Sequence, residues 1–160
     1  MQIQRCIKTE EIEKIPVFSD TVFKISLLKH LEFIKRLNLS SETSCHIEFG
    51  SVARTIDLQK YGIYEIAKII KDFCTNNNFG FYYETPVIIK KNDTERVFED
   101  IKKIVSDIKP DALVINNYDL LARTAADREI NFPEIHLGTS ICHKDISKYC
   151  KEYPQMNITG

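Results

Sequence analysis

The octapeptide Pro110-Asp111-Ala112-Leu113-Val114-Ile115-Asn116-Asn117 lies between two segments with helical periodicity. Upstream, Val97, Ile101, Ile104, Val105 and Ile108 recur at helical spacing, with Asp93 as a candidate N-cap and an end near Lys109. Pro110 stops that helix, because proline lacks the amide hydrogen and clashes with the preceding turn. Ala112 to Ile115 is then a short, wholly apolar run, the pattern of a strand buried on both faces of a parallel sheet. Downstream, Asp119 to Glu129 reads as a helix, and Pro133 introduces Glu134 to Leu137 as the next strand. Helix, strand, helix and strand at these lengths predict βαβ units, which wind right-handed.

The alternation continues outward in both directions. Val17 to Ser26 has the composition of a strand, and Leu27 to Leu37 carries the apolar stripe of a helix. A polar connector leads to Cys45 to Phe49, a strand closed by Gly50, and Tyr61 to Asn76 reads as a second helix. The Asn76-Asn77-Asn78 run predicts a loop, and Phe79 to Ile89 has the densest β-forming and aromatic signal in the chain. Asp145 to Glu152 predicts a last helix, and Asn157 to Gly160 the start of a strand that is not completed. About five βα units can be counted in this way. The 160 residues suit one domain, whereas a closed (β/α)8 barrel takes about 250. The expected fold is α/β, an incomplete TIM-barrel-like parallel sheet of about five strands spanning residues 1–160, with an open sheet as the alternative and truncation at Gly160 left open. An incomplete barrel leaves a raw sheet edge, so a second copy or a partner protein is expected to cover it.

Composition narrows the function classes. Apolar residues make up 43% and charged residues 28%, the balance of a globular chain. The formal charge of −1 gives no support to nucleic-acid binding, although a local basic patch stays open. No run approaches the roughly 20 apolar residues that cross a bilayer, and the N-terminus lacks an apolar signal core. A cytoplasmic protein is therefore expected. The five cysteines, Cys6, Cys45, Cys74, Cys142 and Cys150, form no C-x-x-C pair and read as reduced, mostly buried thiols. Glycine-loop nucleotide sites, H-E-x-x-H and G-x-S-x-G are absent from the sequence.

In parallel α/β architectures ligands gather beyond the carboxyl ends of the strands. That rule selects Gly50, Ser51 and Arg54, then Glu84 and Thr85, then Asn116, Asn117, Tyr118 and Asp119, and finally His136, Gly138, Thr139, Ser140 and His143. Glu84 and His136 are the candidate acid–base residues, and Arg54, Asn116, Asn117 and Thr139 the candidate ligand-binding ones. Each also has a plainer reading. Gly50 fits a tight turn, Arg54 a surface pair with Asp57, Asn116 and Asn117 a turn, Asp119 an N-cap, and His136 a hydrogen-bonded core histidine. His136, Cys142 and His143 match no standard metal spacing, so neither a metal nor a cofactor is expected.

Three segments resemble, in order and separation, those of the peptidase U32 family. They are Ile47-Glu48-Phe49-Gly50-Ser51-Val52-Ala53-Arg54, Lys109 through Leu121, and Glu134-Ile135-His136-Leu137-Gly138-Thr139-Ser140. The likeness runs from about Cys45 to Tyr149 and implies a TIM-barrel-like fold. Members of that family are labelled peptidases, and relatives assist hydroxylation of transfer RNA or quinone precursors with an iron–sulfur cluster. The cysteine region that holds the cluster has no counterpart in this sequence, so the resemblance implies the scaffold without the cluster. The expected function is a U32-like partial barrel holding a small or peptide-like ligand at its rim, together with a partner or second copy. The alternatives are an autonomous enzyme using Glu84 and His136, and a structural βα domain without catalysis.

Overall fold

The structure, a computed structural model, describes residues 29, 31–33, 35–36, 46–50, 63–138, 140–141, 146–154 and 156–159. The chain divides into two compact units, Met1–Phe49 with Thr55–Phe81 and Gly50–Arg54 with Tyr82–Gly160. In the first, residues 29, 31–33 and 35–36 are helical, within the segment whose apolar stripe predicts a helix. The expected strand at Val17 to Ser26 lies outside the described residues. Strand β1, His46–Gly50, reaches Gly50 as its last residue, and its Ile47 and Phe49 are buried at the period of two that a strand imposes.

Helix α1, Ile63–Asn77, buries Ile66, Ala67, Ile70, Phe73 and Cys74 on one stripe. It extends through Asn77, part of the run expected to be loop. Asn77 Nδ2 donates to the Phe73 carbonyl at 2.8 Å, and Asn78 takes the left-handed conformation at φ 58°. The Phe79 amide then returns to the Cys74 carbonyl at 2.9 Å, and the Phe73 and Phe79 rings meet edge-on at 6.0 Å. This is a Schellman-type stop with its hydrophobic contact, and asparagine tolerates the left-handed position.

The second unit alternates strands and helices. Strand β2, Gly80–Glu84, enters it at Tyr82 and is followed by a 3₁₀ turn at Lys91–Asp93 and by α2, Thr94–Asp107. Next come β3, Ala112–Ile115, α3, Tyr118–Ala126, β4, Glu134–Leu137, α4, Ile146–Glu152, and β5, Ile158–Thr159. The strands β2 to β5 pair in chain order, every pairing parallel. Among the described residues this unit shows a parallel α/β sheet of three full strands and a two-residue fourth, fewer than the about five strands expected, and no barrel. Tyr82, Ala112 and Glu134 stand level across the sheet, as do Glu84, Val114, His136 and Thr159.

That register sorts the side chains. Tyr83, Leu113, Ile115, Ile135 and Leu137 point to one face and are buried. Tyr82, Glu84, Ala112, Val114, Glu134 and His136 point to the other, where only β3 supplies apolar side chains. Phe98, Ile101, Ile104 and Val105 form the buried stripe of α2. Two helix starts differ from expectation. Asp93 stands at the N-cap position of α2 but has helical instead of extended torsions and makes no side-chain cap bond; its carboxylate lies 3.5 Å from the Arg96 guanidinium. Helix α3 is capped by Asn117 and not by Asp119, which falls in the first turn.

Candidate functional site

The carboxyl ends of β2, β3 and β4 meet around Asn116. This residue follows β3 and is 3% exposed, which makes it a buried carboxamide whose hydrogen bonds must come from the protein. Its amide donates to Thr85 Oγ1 at 3.0 Å, and its Nδ2 donates both to Glu84 Oε1 at 3.0 Å and to the Thr85 carbonyl at 3.1 Å. The two acceptors fix which side-chain atom is nitrogen. The Thr85 amide in turn donates to the Val114 carbonyl at 2.8 Å, which carries the parallel ladder one residue beyond β2. Glu84 and Thr85 are themselves buried, so the carboxylate is oriented by Asn116 in a place where water is scarce.

Gly138 completes this arrangement. Its amide donates to the Ile115 carbonyl at 2.8 Å, drawing the end of β4 against the end of β3. A β-carbon at this position would stand 1.8 Å from Asn116 Oδ1 and 2.5 Å from its Cγ. Glycine is required here for close approach. Asn116 Oδ1 is buried without a conventional donor and sits against that glycine instead.

A second cluster shares the polar face, with His136 level with Glu84, and Tyr82 and Glu134 one level down the strands. His136 is half-buried, and its ring meets the Tyr82 ring edge-on at 5.0 Å between centroids. The two residues lie on strands separated by β3, and the small Ala112 beside Tyr82 leaves room for the rings to reach each other. His136 Nε2 lies 3.3 Å from Glu134 Oε1 but is not aligned for a hydrogen bond, so the contact becomes an ion pair only when the ring is protonated. Loss of solvation, then the nearby Glu134 and Asp111 carboxylates, push the Tyr82 hydroxyl above the ordinary phenol range. At neutral pH it is a protonated phenol. Glu84 and His136 stand at the same level on either side of Val114, about 9–10 Å apart by two strand spacings. At that separation they do not bond each other directly.

The expected rim residues thus fall into three groups. Glu84, Thr85, Asn116 and Gly138 form one connected cluster, and His136 joins the same face through Tyr82. The core reading of His136 is corrected: it alternates with the buried Ile135 and Leu137 and so points to the polar side. Asn117 is occupied as an N-cap, its Oδ1 accepting from the Asp119 amide at 2.9 Å and the Leu120 amide at 3.3 Å. Arg54, Ser51, Thr139, Cys142 and His143 lie outside the described residues. The sequence reading missed Tyr82, although it stands two residues before Glu84, the spacing that puts strand neighbours on one face. Among the described residues no group of three metal-ligating side chains occurs, and no helix is long and apolar enough to cross a membrane. Of the cysteines described, Cys74 is buried and Cys150 is exposed, so the buried reading holds for the first and not for the second.

Comparison with protein-family models, curated proteins and solved structures gives no match. The resemblance to the peptidase U32 family therefore rests on the three sequence segments alone.

Proposed function

We propose that this chain is a U32-like partial-barrel protein that holds a small or peptide-like ligand over the polar face at the carboxyl ends of β2, β3 and β4. The observation that carries the reading is the Asn116–Glu84 bond, a buried carboxylate held in one orientation at the rim where parallel sheets place their sites. Tyr82, Glu134 and His136, all partly exposed, extend the polar lining on the same face, where Ala112 and Val114 between them are buried. The barrel reading is supported by strand order. Strands that follow one another without reversal, joined by right-handed crossovers, put their helices on one face and leave the other as an interior. A doubly wound sheet would reverse direction at a switch point.

A peptide-like ligand suits this lining because a carboxylate accepts hydrogen bonds and an amide N–H donates them. The same face favours a second reading, acid–base chemistry, since Glu84 and His136 stand level on it, two strands apart, and could serve as acid and base to one ligand at the rim. Nuclear magnetic resonance of the full chain with a mixed set of dipeptides and small amines tests the site. Binding is expected to move the resonances of residues 84–86, 116–118 and 138. Glu84→Gln, which can still accept from Asn116, is expected to weaken binding about tenfold, or ~1.4 kcal/mol. If no rim resonance responds, or the variant binds as well as the parent, the site is elsewhere. A pH–rate profile that survives Glu84→Gln and His136→Gln unchanged would remove the acid–base reading.

A further inference from the structure

A neutral histidine works through whichever ring nitrogen is bare, and its surroundings decide which one that is. The two nitrogens of His136 stand in different surroundings. Nε2 is closed to solvent, takes part in no hydrogen bond, and lies 3.3 Å from Glu134 Oε1. Nδ1 has no hydrogen-bond partner among the described residues, and the side chain keeps 26% of its surface exposed. The Tyr82 ring packs edge-on against the imidazole at 5.0 Å. Between them β3 turns only Ala112 and Val114 to this face, and Glu84 is two strands away. Among the described residues, Glu134 is therefore the charge that acts on Nε2.

A neutral imidazole has one proton for two nitrogens. On Nδ1, that proton would leave the Nε2 lone pair, shut from water, facing a carboxylate oxygen at 3.3 Å. On Nε2, it makes the same contact attractive, even short of hydrogen-bond alignment, because an N–H dipole then meets the anion. We infer that Glu134 is a positioning residue: it holds the proton of neutral His136 on Nε2 and leaves Nδ1, turned away from the carboxylate, as the bare nitrogen offered to a ligand on the polar face. The tautomer stands on the Glu134 contact alone, while the use of Nδ1 as a base rests on the acid–base reading. In that use Nδ1 takes a proton from an acidic group of the ligand, the ligand keeps the electron pair, and the imidazolium formed pairs with Glu134 through Nε2–H.

Correlation of the ring nitrogen and carbon-bound proton resonances of the full chain, at about pH 8 where imidazoles are neutral, reads the tautomer directly. The Nδ1–H form is expected to be at least about tenfold scarcer in the parent than in a blocked histidine peptide. Glu134→Gln keeps the shape, but its amide can accept from Nε2–H or donate to bare Nε2, so a mixture like the peptide's is expected to return. Glu134→Ala should do the same. Glu134 is 38% exposed, so both variants should fold with thermal midpoints near the parent's. A peptide-like mixture in the parent, a proton on Nδ1, or a Glu134→Gln variant that keeps the parent's tautomer would each overturn the assignment. The expected tautomer, lost in both variants, beside a pH–rate profile indifferent to His136→Gln would uphold it and sink the acid–base reading instead.

Discussion

At the scale of single residues, Gly138 and Asn116 form a matched pair. An alanine at 138 must displace the Asn116 side chain, because its β-carbon would fall inside the space of Oδ1. Displacement breaks the bonds from Nδ2 to Glu84 and Thr85 and leaves a buried carboxylate and a buried carbonyl short of a donor. Gly138→Ala is expected to cost about 2–3 kcal/mol in urea unfolding. In an Asn116→Ala background the obstruction is gone, so the same change at 138 should cost at least about 1 kcal/mol less. Additive costs would mean that the two do not meet in solution. Asp127 gives a pH signature at this scale. Desolvation acts to raise its carboxyl, but the Ile130 and Glu129 amides, with the Lys102 ammonium, outweigh it and hold the group below the ordinary aspartate range. A depressed folded value stabilises the native state above the unfolded value, near pH 4, and that stability is lost as pH falls through the folded value. Asp127→Asn is therefore expected to flatten the acid limb of stability below about pH 4 and to leave its slope between pH 6 and 8 unchanged.

At the scale of elements, the ends of helices carry the clearest tests. Asn117→Ala removes the acceptor of two α3 amides and is expected to cost about 1 kcal/mol, whereas Asn117→Ser should retain most of the cap. If the serine variant keeps stability but loses ligand binding, Asn117 also touches the ligand, as its place in the rim series suggests. Lys109 follows α2 at φ 56° without being glycine. Lys109→Gly is expected to relieve that strain and add about 0.5–1 kcal/mol to stability, read from the same unfolding curves. Helices and strands were legible because burial writes its period directly into the sequence. Ala112 to Ile115 is apolar at every position and buried at every position. The boundaries were less legible where two local preferences compete. Asn77 is a turn former by composition, yet its side chain bonds back to Phe73 and prolongs α1. Glu84, Asn116 and His136 could be placed at the rim by the strand rule alone. Their partners could not, since Thr85 lies 31 residues from Asn116 and the pairing depends on register, which no local pattern encodes.

At the scale of the whole molecule, β5 ends the order of the described strands, and its outer edge pairs with none of them. The Ile135 amide donates to the Asn157 carbonyl at 2.8 Å, and Ile135 stands opposite Ile158. In a parallel ladder alternate residues turn their backbone groups to alternate sides, so the Ile158 amide points away from β4. Two arrangements suit that edge. A second copy of the chain or another protein can pair with it, as the proposed partial barrel requires. Alternatively α4 shields it, and the Ile158 carbonyl does lie 3.8 Å from Cys150 Sγ on that helix. Ile158→Pro separates them, because proline at 158 removes only the outward amide and leaves the bonds to β4 in place. If pairing covers the edge, light scattering at tens of micromolar should give twice the mass of one chain for the parent and one chain mass for the variant, with the circular dichroism of the two alike. A parent that is already monomeric and binds no partner, or a dimer indifferent to the proline, would show that the strand edge is not the contact. Shielding by α4 would then be the better account, and the barrel would lose its physical reason for a second chain.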